Sequence, residues 1–175
     1  MVNIRDKQVH EIWIFDVDGT FTDAGIYYDE HGNEIKKFST RDAAGVFALS
    51  YLEIKTMVLT GRTCTATERR MQELHVDFLF QGIKNKEIFL EKFLSENGYS
   101  YNSVVYIGDD INDLAIMKKC GYRACPADAC KEIMQIADYV SIKKGGEGAV
   151  RDIVEEYLTH RELWNIVVDE VYGGI

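Results

Sequence analysis

Two carboxylates two residues apart, Asp16 and Asp18, stand in the string Asp16-Val17-Asp18-Gly19-Thr20, directly after the apolar run Ile12-Trp13-Ile14-Phe15. In a turn that follows a strand, residues i and i+2 can face one pocket. A carboxylate there can attack phosphorus and form an aspartyl phosphate while its neighbour protonates the leaving oxygen. Asp16 suits the first role and Asp18 the second. A denser acidic string, Gly108-Asp109-Asp110-Ile111-Asn112-Asp113, follows the run Val104-Val105-Tyr106-Ile107. So many like charges on one loop repel unless a cation neutralises them, and hard oxygen donors without thiolate or imidazole favour Mg²⁺. Asp109 together with Asp16 would form that site and shield phosphate oxygens from the attacking carboxylate. Asp110 and Asp113 either bind the ion, orient its waters or start the next helix. Thr60-Gly61-Arg62, after Thr56–Leu59, offers a hydroxyl and backbone amides to a phosphate at a helix start. Lys86, after Asp77–Phe80, adds a cation able to pair with the nucleophile and hold transferred phosphoryl oxygens.

These clusters need strands to deliver them to one place. Five short apolar runs, at 12–15, 56–59, 77–80, 104–107 and 122–125, alternate with stretches of helical periodicity at 42–53, 64–74, 85–97, 112–119, 128–137 and 148–168. Asn97-Gly98 and Cys120-Gly121 have the composition of helix stops, and Asn112 and Asp128 that of helix starts. Runs apolar at nearly every residue indicate strands covered on both faces, so the alternation predicts a doubly wound, Rossmann-like parallel α/β sheet. Ligands on such sheets bind at the carboxyl ends of the strands, where all four clusters fall. One segment departs from the alternation: 25–38 has two β-prone arms around Glu30-His31-Gly32-Asn33 and reads as a hairpin overhanging the first strand end or meeting another subunit.

The 175 residues are 46% hydrophobic, enough to bury a core without disulfide or structural metal. A single proline and no Ser/Gly tract predict one unit over 1–175. The formal charge of -9 disfavours nucleic acid and anionic membranes as partners. No apolar run approaches a membrane span, and the start MVNIRDKQVHEIW lacks the features of a signal peptide, so the expected compartment is the cytoplasm. Cys64, Cys120, Cys125 and Cys130 form no C-x-x-C pair and the four histidines are scattered, which favours packed free thiols over a zinc site.

The four clusters, in this order, resemble the haloacid dehalogenase superfamily of phosphohydrolases over essentially the whole chain. The resemblance implies Asp16 as nucleophile, Asp18 as general acid/base, Thr60 and Lys86 as phosphate ligands, and Asp109 with Asp16 and the Asp18 carbonyl as Mg²⁺ ligands. Between Thr22 and Arg41 there is room for only a hairpin, and the connections between Thr60 and Asp109 are ordinary, so no cap domain is inserted. This absence, with the strings YDEHGNEIKKFSTRDAAG, LTGR, FLFQGIKNK, YIGDDINDLAIM and KKGGEGAVR, is similar to the capless branch. Members of that branch dephosphorylate 2-keto-3-deoxy sugar acids such as 3-deoxy-D-manno-octulosonate 8-phosphate, of lipopolysaccharide biosynthesis, or nine-carbon sialic-acid-type sugar 9-phosphates. The branch implies a homotetramer in which the hairpin and a neighbour's C-terminal tail, about 169–175 here, help close each site. It also implies that Ser39, Thr40, Arg41, Asp42 and Ala43 line the substrate pocket, that Gly61 is among the substrate-binding residues, and that Arg62 and Arg70 hold the sugar acid, a planar guanidinium matching a carboxylate. Phe47, where eight-carbon enzymes carry arginine, and Ala43, where they carry glycine, depart from the eight-carbon pattern, whereas Arg62 follows it. The sugar therefore stays open at this point. Two rival readings are a non-catalytic assembly module, as found fused to sugar-nucleotide synthetases, and a phosphatase of another small phosphate.

Overall fold

Ile12–Phe15 forms β1, buried at every position because helices cover both of its faces. The computed structural model describes Lys7 and residues 9–173. Trp13 and Phe15 point to one side of the sheet, among Val46, Leu49, Ile153 and Val154. Ile12 and Ile14 point to the other, among Leu90, Leu94, Ile116 and Ile133. The remaining elements, in chain order, are β2 (Tyr27–Tyr28), β3 (Glu34–Ile35), α1 (Asp42–Tyr51), β4 (Lys55–Leu59), α2 (Thr65–Glu73), β5 (Phe78–Phe80), α3 (Lys86–Asn97), β6 (Val104–Ile107), α4 (Leu114–Met117), β7 (Tyr122–Cys125), α5 (Lys131–Met134), β8 (Tyr139–Val140), α6 (Ala149–Thr159) and α7 (Trp164–Tyr172).

The main sheet is parallel in the order β5-β4-β1-β6-β7-β8, and β2 and β3 pair as a separate antiparallel hairpin. Helices α1, α2, α6 and α7 contribute to one apolar layer and α3, α4 and α5 to the other, so the sheet is doubly wound. From β1 the chain order runs outward in both directions. The gap between the ends of β1 and β6 is therefore the topological switch point, where such sheets bind ligands.

Several expected boundaries are corrected. β8 completes the sheet and escaped the periodicity reading because two residues carry no alternation. The stretch 148–168 is two helices, α6 and α7, separated at Glu162, which sits at φ +58°. Asn97-Gly98 does end α3, with Gly98 left-handed at φ 75°. Gly121 is not a left-handed stop: a Cβ there would collide with the Asn102 carbonyl, so close backbone approach is what requires glycine. Asn112 and Asp128 do not start helices either. α4 begins at Leu114 and α5 at Lys131, and the Asp128 carboxylate instead accepts from the Gly145 amide at 3.0 Å.

The C-terminal segment continues α7 through Tyr172, with Trp164 and Val167 buried and Arg151 stacked 4.4 Å over the Trp164 ring. The last two residues of the expected tail, Gly174 and Ile175, lie outside the described residues.

Candidate active site

The junction of β1 and β6 brings the two acidic motifs together through backbone geometry. Phe15 lies opposite Ile107 in the parallel ladder, and the Asp16 amide extends it by donating to the Ile107 carbonyl at 2.9 Å. Asp16 and Gly108-Asp109 thus leave adjacent strands at the same level. Gly19, at φ +90°, allows close contact there, since the Asp109 carboxylate occupies the space a Cβ would need. One oxygen each from Asp16, Asp109 and Asp113 lies within 4.8 Å of the others.

Lys86, the first residue of α3, is held at this junction by the cap before it, Asn85, whose side chain accepts from the Ile88 amide at 3.0 Å. The Lys86 side chain is only 4% exposed, with Nζ 2.8 Å from Asp16 Oδ1 and 2.7 Å from Asp113 Oδ1. The Tyr106 hydroxyl, rising from within β6, donates to the same Asp113 oxygen at 2.8 Å. Asp113 occupies the position before α4 but makes no side-chain cap, so its carboxylate serves this network and not the helix start. The other Asp113 oxygen, Oδ2, and Asp109 Oδ1 are buried without a hydrogen-bond partner.

Unpartnered buried carboxylate oxygens are costly, and the electrostatics record the cost. Burial, with Asp16 and Asp113 adding repulsion, pushes the Asp109 pKa up to about 8. Burial and Asp113 likewise raise that of Asp16, against the pull of Lys86. For Lys86, burial alone would lower the pKa, but Asp16 and Asp113 outweigh it and the net shift is upward. An all-oxygen cluster with two orphaned oxygens and one lysine for three acids fits a hard divalent cation.

Thr60 leaves β4, which flanks β1 on its other side with Val58 opposite Phe15. It is 2% exposed, fixed by backbone bonds to Phe80 and Ile83, with Gly61 and Arg62 following at the loop surface. Arg62 donates Nε and Nη2 to the Glu34 carboxylate of the hairpin at 3.3 and 2.9 Å. Asp18 sits outside the Asp16–Asp109–Asp113 cluster, its carboxylate bonded to the ammonium of Lys36. An open cleft lined by Tyr28, Asn33, Glu34, Thr63, Cys64 and Thr65 runs between the hairpin and the start of α2.

The other expected pocket residues lie as follows. Asp110 is exposed and accepts from the Ile111 amide at 2.8 Å, apart from the cluster. Asp42 is buried, and its carboxylate accepts from the Arg151 amide at 3.0 Å, capping α6 from α1. Arg70 is occupied by Glu73 at 3.2 Å and by the Ser39 carbonyl at 3.4 Å. Ser39 and Arg41 border Gly148, before α6, while Thr40 is exposed and Ala43 packs partly into the core. Phe47 also packs against that core, its ring 6.4 Å from His75. All four cysteines are free.

Sequence reasoning missed Tyr106, Glu34, Lys36 and Gly145. Tyr106 reads as an ordinary strand residue. Glu34 and Lys36 were legible as a same-face pair, two residues apart on a hairpin arm. Gly145 comes so close to the Gly19 carbonyl that a Cβ would collide with it, and Gly146, at φ +67°, packs on Thr22 and Asp23, so this glycine pair packs directly against the first acidic loop.

Comparison with known proteins identifies the family. Residues 78–153 match the family model described as haloacid dehalogenase-like hydrolase. The 3-deoxy-D-manno-octulosonate 8-phosphate phosphatase of Escherichia coli K12 is 36% identical over 142 residues, covering 81% of this chain and 76% of that protein. The chain belongs to the haloacid dehalogenase-like hydrolases. Among solved structures of this family, the 3-deoxy-D-manno-octulosonate 8-phosphate phosphatase of Moraxella catarrhalis, in complex with magnesium, phosphate and KDO, superposes with a TM-score of 0.88 at 29% identity, covering 94% of each chain. The cobalt-bound phosphatase of Haemophilus influenzae gives a TM-score of 0.84 at 31% identity, covering 91% of this chain and 93% of that one. Among the described residues the haloacid dehalogenase-like fold carries no cap domain, and the chain is a phosphoric monoester hydrolase of this family.

Proposed function

We propose that this phosphatase removes the terminal phosphate from a 2-keto-3-deoxy sugar acid, 3-deoxy-D-manno-octulosonate 8-phosphate, through an aspartyl-phosphate intermediate. The observation that carries the chemistry is the cluster of Asp16, Asp109 and Asp113 against Lys86 at the switch point. The substrate reading rests on the relatives of that name and on the capless site, beside which an open cleft is bordered by the hairpin residues Tyr28, Asn33 and Glu34, the last paired with Arg62.

In this reading Asp16 attacks phosphorus in line, and the electron pair of the breaking bond passes to the sugar oxygen, which takes the proton of Asp18. Asp18 then removes a proton from water, which attacks the phosphorus and frees Asp16. Lys86 and Thr60 hold the transferred oxygens. Asp16, Asp109 and the Asp18 carbonyl would hold Mg²⁺, with Asp113 beside them in the same acidic cluster. The ion would supply charge neutralisation for an anionic nucleophile approaching an anionic substrate. Ser39, Arg41, Arg62 and Arg70 are the proposed sugar-acid contacts, with the Gly61 amide at the phosphate; Arg70 would exchange Glu73 for the substrate, and Arg62 would meet it while keeping its pair with Glu34. The inward-turned Asp42 is assigned a supporting role beneath them.

The hairpin exposes Ile26, Tyr27, Tyr28 and Ile35 beside the cleft, with Tyr28 63% exposed. Such a patch suits burial by another copy, which supports a homotetramer whose neighbours close the sites. No described helix is long and apolar enough to cross a membrane, which is consistent with a cytoplasmic enzyme.

A kinetic panel with Mg²⁺ tests the assignment. kcat/KM for 3-deoxy-D-manno-octulosonate 8-phosphate should exceed that for hexose phosphates by roughly 10²-fold or more, since a site built to bond a carboxylate loses its partner otherwise. Comparable values would overturn sugar-acid recognition, and a preference for nine-carbon sugar 9-phosphates would move the assignment to that branch.

A further inference from the structure

The hairpin carries a charge into the site that neither acidic motif requires. Lys36 follows β3 two residues after Glu34, so both side chains leave the hairpin on one face. That face is turned inward: the Lys36 side chain is 1% exposed and that of Glu34 14%. An ammonium this buried is costly unless it is paired. Here Nζ bonds Asp18 and lies 3.3 Å from Glu34 Oε1. Glu34 in turn takes two hydrogen bonds from Arg62. An unbroken row, Asp18–Lys36–Glu34–Arg62, therefore runs from the first acidic loop through the hairpin to the loop after β4.

We propose that Lys36 is a positioning residue for Asp18, through which the seating of the hairpin controls the acid step of the reaction. The inference rests on the reading of Asp18 as general acid. In that step an Asp16 oxygen bonds phosphorus as the phosphorus–oxygen bond to the sugar breaks. The proton of Asp18 goes to the sugar oxygen, and Asp18 is left as a carboxylate. Lys36 fixes the direction from which that proton is offered and neutralises the charge Asp18 acquires, without touching the reacting atoms. Asp18, with its side chain 26% exposed, otherwise faces partly into solvent, so removing the ammonium frees its orientation. The chain of ion pairs also gives the hairpin a role besides covering the site: a displaced hairpin withdraws Lys36 and misaligns the acid.

The test is single-turnover phosphoryl transfer with enzyme in excess and Mg²⁺ supplied, comparing a sugar leaving group, which needs a proton, with the nitrophenolate of p-nitrophenyl phosphate, which does not. Lys36→Met keeps the aliphatic stem and should slow transfer from 3-deoxy-D-manno-octulosonate 8-phosphate by about 10²-fold, the scale of a misplaced catalytic group. Transfer from p-nitrophenyl phosphate should stay near the wild-type rate, and Lys36→Arg should restore most of the sugar-phosphate rate. Equal slowing on both substrates, or no slowing on either, would overturn the proposal. If Lys36→Met does not fold, Glu34→Gln, which keeps the lysine but weakens its anchor, should give the same split with smaller amplitude, and equal effects would overturn it. Asp18→Asn separates the two readings: if it retains the sugar-phosphate rate, the acid assignment itself fails, whereas loss there with an unaffected Lys36→Met defeats only the role of Lys36.

Discussion

Tyr106 shows what a single buried hydroxyl contributes here. It is wholly buried in β6, and its donation to Asp113 fixes which carboxylate oxygen faces Lys86 and which is left free. Burial, reinforced by the negative charge of Asp113, raises the Tyr106 pKa well above its usual value, so the hydroxyl stays a donor across the working pH range. Tyr106→Phe keeps the ring volume and removes the donor alone. It should cost about 1–3 kcal/mol in urea unfolding, as a shift of midpoint without a change of slope. It should also weaken Mg²⁺ affinity, read by titration calorimetry, by about 10-fold, as loss of support behind a ligand does. An unchanged affinity would remove Asp113 from the ion's surroundings. The site residues whose convergence was legible in sequence were those carried by dense, unusual strings. Asp113 was ambiguous because a helix cap and a site carboxylate share one signature. Tyr106 was illegible because it looks like an ordinary strand residue, and Lys36, although it shares a hairpin face with Glu34, carries no sign in sequence that it meets Asp18.

Asp42 belongs to the scale of elements, because its carboxylate joins the start of α1 to the start of α6 across 109 residues of chain. Burial raises its pKa to about 6, against the lowering effects of the Arg151 amide and Arg70. An acid whose pKa is higher folded than unfolded is favoured neutral in the fold, so its contribution is full below about pH 4 and declines as pH rises toward 6. The decline amounts to about 3 kcal/mol, beyond which it is flat. Asp42→Asn retains an acceptor for the Arg151 amide and removes the titration. Its stability measured by denaturant should therefore fall less than wild type between pH 4 and pH 6, and parallel curves would refute the assignment. At this scale five of the six sheet strands were legible, most plainly β1 and β6, where a strand buried on both faces is a continuous apolar run, and least so β7, which carries Arg123 and is only half buried. The two-residue β8 was not, and neither was the α6–α7 break, which Glu162 makes at positive φ where no glycine marks it.

At the scale of the molecule, parallel topology alone brings residues far apart in sequence to one point. β1 and β6 are neighbours with matched register, and the chain winds away from them in both directions, so Asp16 and Asp109 meet without a dedicated scaffold. This was legible because apolar runs and acidic strings alternate in an order that few folds accommodate. What was not legible is that the hairpin and the Gly145-Gly146 loop both meet the first acidic loop, since such contacts depend on three-dimensional closeness between segments with no shared pattern.

The central claim is that Asp16 becomes covalently phosphorylated during turnover. Mixing enzyme, Mg²⁺ and 3-deoxy-D-manno-octulosonate 8-phosphate, quenching in acid within the first turnover and sequencing the peptides by mass spectrometry reads this directly. The account predicts a phosphoryl group on Asp16 that decays as phosphate appears, and neither signal in Asp16→Asn. Phosphate released at the wild-type rate by Asp16→Asn, or a phosphoryl group found on another residue, would contradict it.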